Sequence, residues 1–381
     1  MTVKLGRKLR LGMVGGGPGA FIGEVHRIAS RIADRFELVA GALSSNPEKA
    51  RSYAAQLGIR RAYGSFEEMS AAEANHPERI DVVAIVTPND THYAIAEAFL
   101  AGGIHVMCDK PMTTTLDDAV KLATKVERSG LIFALTHTYS GYPVVRQMRN
   151  IVQSGGIGKI RMISVEYVQG WLATALEKSG SKQAEWRTDP ARSGPAGCLG
   201  DIATHAYHLA YFVSGLTPEK ISCDLSTFVP DRRLDDNVQA MIHFEGGAKA
   251  MLWSSQIAIG NENNLNLRIY GETGGLEWSQ ENPNYARYTS LNQLPEILSR
   301  GGGALNATAS RLPAGHPEGY FEAFATLYED LAELITARLE GRTPDPSATS
   351  LPTCEDGVEG LRFIEAALQS SADGARWKPL C

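Results

Sequence analysis

A glycine-rich turn directly after the first apolar run constrains the fold of this chain more than any other feature. The run is Leu9–Val14, and the residues after it are Gly15-Gly16-Gly17-Pro18-Gly19-Ala20-Phe21-Ile22-Gly23. Helical spacing from Gly23 to Arg35 predicts that the turn joins a strand to a helix. Glycines in that context let the backbone approach a pyrophosphate, whose charge interacts with the amide groups and dipole of the helix. The turn therefore predicts a dinucleotide site, although a purely structural glycine-rich loop would look the same.

The spacing of the glycines departs from the usual dinucleotide fingerprint. Gly15 and Gly17 fit its first two positions, but the best third glycine, Gly23, comes three residues late. We interpret the difference as a short insertion that widens the turn over the pyrophosphate. The predicted cofactor contacts of the turn are Gly15, Gly17, Pro18, Gly19, Ala20, Phe21, Ile22 and Gly23.

The first 140 residues alternate strand and helix patterns. Further strands are predicted at Glu37–Leu43, Ile80–Thr87 and Ile104–Cys108, with helices at Pro47–Leu57 and His92–Ala101. The run Ile80–Thr87 is β-branched and uninterrupted, as expected of a strand buried on both faces. Alternating strands and helices predict a parallel sheet, so residues 1–140 are predicted to form an α/β Rossmann domain.

The pattern changes after Tyr139. A helix is predicted at Val144–Ser154 and a strand at Ile160–Val168, then a helix near Asp201–Val213, and two hairpins pair Val238–Phe244 with Ala248–Trp253 and Leu265–Tyr270 with Leu276–Trp278. Consecutive hairpins predict a large, mainly antiparallel open sheet. Residues 141–381 are therefore predicted to form an α+β domain, in which the helices Tyr320–Leu339 and Gly357–Ser371 could pack back on the first domain. A loop is predicted at Gly301–Ser310.

Composition narrows the classes of partner. The formal net charge is −6 and the pI is near 5.9, which disfavours nucleic acid because phosphate binding needs a concentrated basic surface. No run approaches the ~18 apolar residues of a membrane span, and we expect no membrane partner. The five cysteines are odd in number and scattered. They form neither a metal motif nor a disulfide framework, and with no secretory segment at the start this predicts a cytoplasmic enzyme without a metal.

The end of the second strand bears on which dinucleotide is bound. It reads Leu43-Ser44-Ser45-Asn46, with Lys49 one helical turn on. An acid that would bind the ribose hydroxyls of NAD is missing there, which leans towards NADP with Ser44 and Lys49 as candidate phosphate contacts. A plain helix cap by Ser45 or Asn46 explains the same residues. NAD and NADP both remain open.

Three side chains are candidates for catalysis. Lys110 follows a buried strand and lies at the sheet's carboxyl edge, where an ammonium could polarise a substrate hydroxyl. Asp201 and His205 are four residues apart at a predicted helix start, so they share a face, and a histidine suits removal of a hydroxyl proton. A surface lysine, a capping aspartate and a core histidine are the structural alternatives.

These motifs together resemble the Gfo/Idh/MocA oxidoreductase family, which includes glucose–fructose oxidoreductase and inositol dehydrogenase. Four elements in the family's order carry the resemblance: Gly23-Glu24-Val25-His26 after the turn, Thr87-Pro88-Asn89 through His92, Asp109-Lys110-Pro111, and Gly200-Asp201 through His205. The chain departs from the family pattern at Asp109, where a glutamate is usual, and at the widened glycine turn.

The resemblance implies specific roles. Lys110, Asp201 and His205 would be the catalytic group, with His205 as acid/base and Asp201 orienting it or contacting substrate hydroxyls. Further cofactor contacts would come from Thr87, Pro88, Asn89, His92, Asp109 and Lys110, together with Ser44, Ser45 and Lys49 at the second strand. NAD is the first expectation, and the stretch Ser44–Lys49 resembles the strand end of glucose–fructose oxidoreductase, which supports tolerance of NADP. Relatives bury the open sheet by self-association, so a homodimer or homotetramer is expected.

The stretch Gly170–Gly197 precedes the catalytic segment and is expected to reach the substrate. Trp171 and Trp186 are suitable platforms for the C–H face of a sugar. Lys182, Arg187 and Arg192 could clamp an anionic group on it. The charges of the stretch nearly cancel, so a solvated loop is the plain alternative. The substrate-binding predictions are Trp171, Lys182, Trp186, Arg187, Arg192, Asp201 and His205.

Two catalytic outcomes share this machinery. The first is net oxidation of a ring hydroxyl of a sugar, inositol or derivative by hydride transfer. The second is an NAD-dependent glycosidase, which oxidises transiently, eliminates the aglycone, adds water and returns the hydride. A non-catalytic cofactor-binding sensor is a third reading, and retention of Lys110, Asp201 and His205 argues against it.

Overall fold

Two sheets organise the chain in its computed structural model, which describes residues 5–302 and 310–380. The strands are β1 (Leu9–Gly15), β2 (Phe36–Ala42), β3 (Arg61–Ala62), β4 (Val82–Val86), β5 (His105–Cys108), β6 (Phe133–Leu135), β7 (Ile160–Val168), β8 (Pro218–Ser226), β9 (Asn237–Phe244), β10 (Lys249–Ser255), β11 (Asn264–Gly271), β12 (Gly274–Ser279), β13 (Tyr285–Ser290), β14 (Glu296–Ser299) and β15 (Lys378–Pro379). Most of the loop predicted at Gly301–Ser310 lies outside the described residues.

The α-helices precede, separate or follow these strands along the chain. They are α1 (Phe21–Ile32), α2 (Pro47–Gln56), α3 (Phe66–Asn75), α4 (His92–Ala101), α5 (Leu116–Ser129), α6 (Pro143–Gln153), α7 (Lys182–Arg187), α8 (Pro190–Ser193), α9 (Thr204–Ser214), α10 (Tyr320–Glu340) and α11 (Cys354–Ala372). In the described parts of the chain, no helix is long and apolar enough to cross a membrane.

Contacts divide the chain into two units. The first contains the residues up to Gly141 and Tyr320–Val358, and the second contains Tyr142–Gly319 and the residues from Glu359 onward. The helix α10 therefore belongs to the first unit, although it lies near the end of the sequence. Helix α11 begins in the first unit and ends in the second.

The first unit is built on a parallel six-stranded sheet in the order β3-β2-β1-β4-β5-β6. Every residue of β4 is buried, which agrees with its uninterrupted β-branched sequence. The core is completed by α10, whose Phe324, Leu331 and Ile335 pack with Leu11 and Met13 of β1. The strand order reverses between β1 and β4, and in open α/β sheets ligands bind at the carboxyl ends of such strands. The predicted Rossmann domain is confirmed.

The second unit carries a nine-stranded sheet in the order β14-β13-β12-β11-β7-β10-β9-β8-β15. Its only parallel pair among the described strands is β7 with β10, and the other neighbours run antiparallel. One face of the sheet packs against the largely buried α9. Alternate residues of β9, such as Val238 and Ala240, are buried while Gln239 and Met241 are exposed, as the period of a strand requires. The predicted open, mainly antiparallel sheet is confirmed.

Candidate functional site

The glycine turn joins β1 to α1 as the sequence predicts, and its glycines have distinct roles. Gly15 and Gly16 have φ of 82° and 69°, a region that side chains disfavour. A Cβ on Gly23 would lie 2.3 Å from the Gly16 Cα, so these two glycines let the helix pack directly on the turn. Gly16, which was not among the predicted cofactor contacts, is thus the partner of the late Gly23.

The outer part of the turn is open to solvent. Pro18 and Gly19 are exposed, and a Cβ on Gly19 would meet nothing within 4 Å. The α1 N-cap is Ala20, whose methyl side chain cannot cap the first helical amides. Uncapped amides at a helix N-terminus attract an anion. These residues therefore fit the pyrophosphate of a dinucleotide.

The polar residues after β2 were predicted either to cap a helix or to contact the 2′-phosphate of NADP, and the structure shows which of them caps the helix. Asn46 caps α2, because its Oδ1 accepts the Lys49 N–H at 2.9 Å. The Ser44 Oγ accepts the Asn46 N–H at 3.2 Å, while Ser45 and Lys49 are exposed. The capping role thus falls to Asn46, and the side chain of Lys49 extends from the first turn of α2.

The side chain of His92 connects the segments that follow two neighbouring strands, β4 and β5. His92 is fully buried, and its ring nitrogens lie 2.9 Å from the Thr87 and Pro111 carbonyl oxygens. Both partners are acceptors, so a neutral ring donates to one of them at a time. The contact holds the segment after β4 beside the segment after β5, which contains the cis peptide between Lys110 and Pro111.

The carboxylate next to Lys110 belongs to a buried polar chain. His26 lies 3.1 Å from Asp109 Oδ1 through Nε2 and 2.8 Å from the Tyr328 hydroxyl through Nδ1. The Thr136 hydroxyl also donates to Asp109, at 2.6 Å. Burial alone would raise the pKa of Asp109, but His26 and Thr136 together outweigh it and leave this pKa below its usual value. These hydrogen bonds fix the backbone at Asp109, from which the half-buried Lys110 extends.

In the second unit, Asp201 lies in a π-helical turn, Leu199–Ala203, which runs into α9. The sequence predicted an ordinary helix here, and π-helical turns are frequent at functional sites. The Asp201 carboxylate accepts hydrogen bonds from Gln256 Nε2 at 2.8 Å and Arg187 Nε at 3.2 Å. Gln256 is buried and was not a candidate in the sequence, since it lies 55 residues away from Asp201.

The π-helical turn is itself anchored by Asp235. Its carboxylate accepts the backbone N–H groups of Gly197 and Leu199, each at 2.7 Å. A Cβ on Gly197 would lie 2.2 Å from the Asp235 carbonyl oxygen, so glycine is required there. Burial raises the pKa of Asp235 to about 6, although the two amides act to lower it. The pair Asp235-Asp236 before a strand was the only sequence signal for this anchor.

His205 follows in the first turn of α9, beside a polar chain. Its ring centroid lies 6.3 Å from that of Tyr167, whose hydroxyl donates to Asn263 at 2.6 Å. Gln169 also donates to Asn263, at 2.7 Å, and accepts the indole N–H of Trp171 at 2.9 Å. Trp171 and His205 are thereby connected to one array of polar and aromatic groups.

The three basic side chains that were predicted to bind the substrate differ in their surroundings. The Arg187 guanidinium pairs with Asp201 and lies 4.2 Å from the centre of the Trp186 ring. Lys182 and Arg192 are exposed. The guanidinium of Arg187 therefore already faces a protein carboxylate, whereas the other two cations extend into solvent.

Comparison with known proteins agrees with this architecture. A family model described as "Oxidoreductase family, NAD-binding Rossmann fold" matches residues 9–137, and one described as "GFO/IDH/MocA C-terminal domain" matches residues 145–277. An uncharacterized oxidoreductase of Bacillus subtilis is 34% identical over 98% of this chain and 97% of its own length. The prediction of a nicotinamide-dinucleotide fold is confirmed by the first of these models.

Two solved structures are also similar over nearly the whole chain. An oxidoreductase from Sinorhizobium meliloti is 46% identical with a TM-score of 0.88, covering 98% of this chain and 99% of that one. An inositol dehydrogenase homolog from Azotobacter vinelandii, complexed with NADH and myo-inositol, is 33% identical with a TM-score of 0.88, covering 98% of each chain.

Proposed function

Because this chain belongs to the Gfo/Idh/MocA family of NAD-binding oxidoreductases, we propose that it oxidises a ring hydroxyl of an inositol, a sugar or a related polyol. The observation that carries this proposal is the Asp201 carboxylate, held by Gln256 and Arg187 one turn before His205. A fixed carboxylate and a histidine suit the binding and deprotonation of a hydroxyl group. The relative from Azotobacter vinelandii, complexed with NADH and myo-inositol, supports a polyol substrate.

In the proposed reaction, each residue has a defined task. A ring nitrogen of His205 takes the proton of the reacting hydroxyl, and Asp201 accepts a hydrogen bond from a hydroxyl of the substrate. The ammonium group of Lys110 donates a hydrogen bond to the oxygen on which negative charge develops. The bound nicotinamide dinucleotide supplies the acceptor for the hydride.

The cofactor we propose is NAD, with NADP tolerated. The NADH-bound relative supports NAD, and the uncapped amides of α1 fit the pyrophosphate that NAD and NADP share. Exposed Lys49 and half-buried Ser44 are the groups that would tolerate a 2′-phosphate. We further propose Thr87, Pro88 and Asn89 as cofactor contacts, since they follow β4 at the point where the strand order reverses.

The surroundings of Arg187 favour a neutral substrate. Because its guanidinium is paired with Asp201, its charge is already balanced by the protein. An anionic group on the substrate would therefore depend on Lys182 or Arg192. Trp171 and Trp186, both half-buried, are the proposed surfaces for the C–H face of the ring.

We also propose that the chain self-associates through its nine-stranded sheet. The face opposite α9 exposes several large apolar side chains, namely Met162, Met241, Met251, Trp253 and Tyr270. Contiguous apolar surface of this kind is typical of protein interfaces. Substituting Met241 with glutamate should lower the mass measured by light scattering to that of a monomer. An unchanged mass would contradict the use of this face.

A spectrophotometric screen tests the activity. Purified protein is incubated with NAD or NADP and with myo-inositol, neutral sugars and sugar acids, and reduced cofactor is compared with oxidised product. We expect one equivalent of NADH for each equivalent of oxidised polyol. Product formation with no net NADH would instead indicate the glycosidase reaction. Cofactor binding without turnover of any compound would favour a sensor and contradict the proposal.

A further inference from the structure

Arg27 is a buried cation directly behind the glycine turn. It lies four residues after Gly23 in α1, so both residues share the helix face that packs on the turn. The residue is 9% exposed, and its Nη1 donates a hydrogen bond to the Gly16 carbonyl oxygen. The same nitrogen lies 3.9 Å from the Met13 sulfur in β1.

Among the residues that the structure describes, Arg27 makes no ion pair with a carboxylate. Within residues 5–302 and 310–380, no carboxylate oxygen lies within 4.0 Å of its guanidinium nitrogens, and its closest acidic neighbour along α1, Glu24, is exposed to solvent. Two other buried arginines differ, because Arg232 pairs with Glu177 and Asp236, and Arg300 pairs with Glu318. Buried charges are normally paired, so Arg27 calls for a counter-charge from elsewhere.

The direction of the side chain indicates where that counter-charge binds. Helical side chains point towards the helix N-terminus, and the contact with Gly16 places the Arg27 guanidinium at that end of α1. A full positive charge there adds to the partial charge of the helix dipole and the uncapped amides. All three positive features favour the binding of an anion at the turn.

We propose that Arg27 is a positioning residue of the dinucleotide site, whose charge is balanced by the bound pyrophosphate and whose hydrogen bond holds the Gly16 carbonyl in place. This inference rests on the proposed function, since it needs a dinucleotide to bind at the turn. The glycine fingerprint alone does not supply this charge, because its contacts are backbone amides.

Calorimetric titration of Arg27 variants with NAD distinguishes the effect of the Arg27 charge from the effect of its hydrogen bond to Gly16. Arg27→Gln keeps a donor for Gly16 but removes the charge, whereas Arg27→Lys keeps the charge. We expect the Kd for NAD to rise at least tenfold in Arg27→Gln and to stay within about threefold in Arg27→Lys. The matched control is Arg31→Gln, one turn later in α1, where the arginine is exposed to solvent; it should change the Kd less than twofold.

The melting temperature without cofactor separates this role from a merely structural one. An unbalanced buried charge does not stabilise the protein, so Arg27→Gln should melt at or above the wild-type temperature while its stabilisation by saturating NAD decreases. Arg27→Gln should also bind ADP-ribose more weakly than the wild type does, by a factor similar to that for NAD, because ADP-ribose contains the same pyrophosphate.

The measured affinities for NAD decide whether the charge of Arg27 contributes to binding. Wild-type affinity for NAD in Arg27→Gln, or equal losses in Arg27→Lys and Arg27→Gln, would overturn the role of the charge and leave the proposed function intact. If Arg27→Gln does not fold, a tenfold or greater loss in folded Arg27→Lys overturns the charge role, and retained affinity supports it. Failure of the wild type to bind both NAD and NADP would contradict the proposed function itself.

Discussion

The glycine turn of the first unit and the π-helical turn of the second hold their functional groups by different means. The first uses backbone: Gly16 and Gly23 pack in direct contact and leave amides open at the start of α1. The second uses side chains: Asp235 holds the amides of the turn, and Gln256 with Arg187 holds the Asp201 carboxylate. A backbone site is suited to a constant pyrophosphate, whereas side chains can be exchanged to suit different substrates.

The difference predicts that damage to each turn will affect different properties. Substitutions around the glycine turn should weaken the binding of every dinucleotide. Substitutions around Asp201 should lower turnover and leave dinucleotide binding in place. Substitutions at Gly23, Asp235, Gln256 and Lys49 test this separation.

Gly23→Ala should have the largest effect. Its Cβ would lie 2.3 Å from the Gly16 Cα, so the turn and α1 must move apart. We expect the free energy of unfolding to fall by about 1–3 kcal/mol and NAD binding to be lost, as measured by denaturant titration and calorimetry. Gly360→Ala is the control, because its Cβ would meet nothing within 4 Å. Retention of wild-type NAD affinity by Gly23→Ala would contradict a backbone site.

Asp235 should make stability depend on pH. Its pKa of about 6 in the folded protein exceeds the ordinary ~4 of an unfolded chain. The folded state therefore holds this proton more tightly between those two values, and the contribution of Asp235 to stability decreases as the pH rises from 4 to 6. The unfolding free energy of wild type minus that of Asp235→Asn should thus fall by about 3 kcal/mol from pH 4 to pH 7. A constant or rising difference would be inconsistent with this burial.

Gln256→Leu should lower turnover by about tenfold, because the Asp201 carboxylate loses the hydrogen bond that Gln256 Nε2 donates to it, a loss of ~1.4 kcal/mol. The Kd for NAD should change less than twofold. Gln369→Leu is the control, since the Gln369 side-chain Nε2 donates to the exposed Glu365 carboxylate. A parallel loss of NAD affinity in Gln256→Leu would break the separation between the two turns.

Lys49→Ala should have the smallest effect. Lys49 is exposed, and an exposed charge contributes little to the free energy of an ionic interaction. We expect the Kd for NADP to rise about two- to fivefold, with no change for NAD. Equal changes for both cofactors would remove Lys49 as the phosphate contact.

The sequence correctly predicted those elements that depend on residues close together in the sequence. The parallel sheet, the glycine turn and the hairpins β9–β10 and β11–β12 all follow from local patterns. The strands β8, β13 and β14 were missed because their sequences are polar or short, and they are stabilised by neighbours in the sheet.

The supports of the site were also missed, since they are remote in sequence. Gln256 reaches Asp201 across 55 residues, and Tyr328 reaches His26 across 302 residues. A polar residue in a distant strand or helix carries no local sign of such a partner. The late Gly23, by contrast, was found from spacing, although its partner Gly16 emerged only from the packed turn.

The most direct test of the account measures two properties of one variant, His205→Ala. In the proposed reaction His205 takes the proton, and the glycine turn binds the dinucleotide. We therefore expect turnover of the polyol to fall by ~10²–10⁴-fold while the Kd for NAD stays within twofold of wild type. Unchanged turnover, or a loss of NAD affinity that matches the loss of turnover, would contradict this separation of roles.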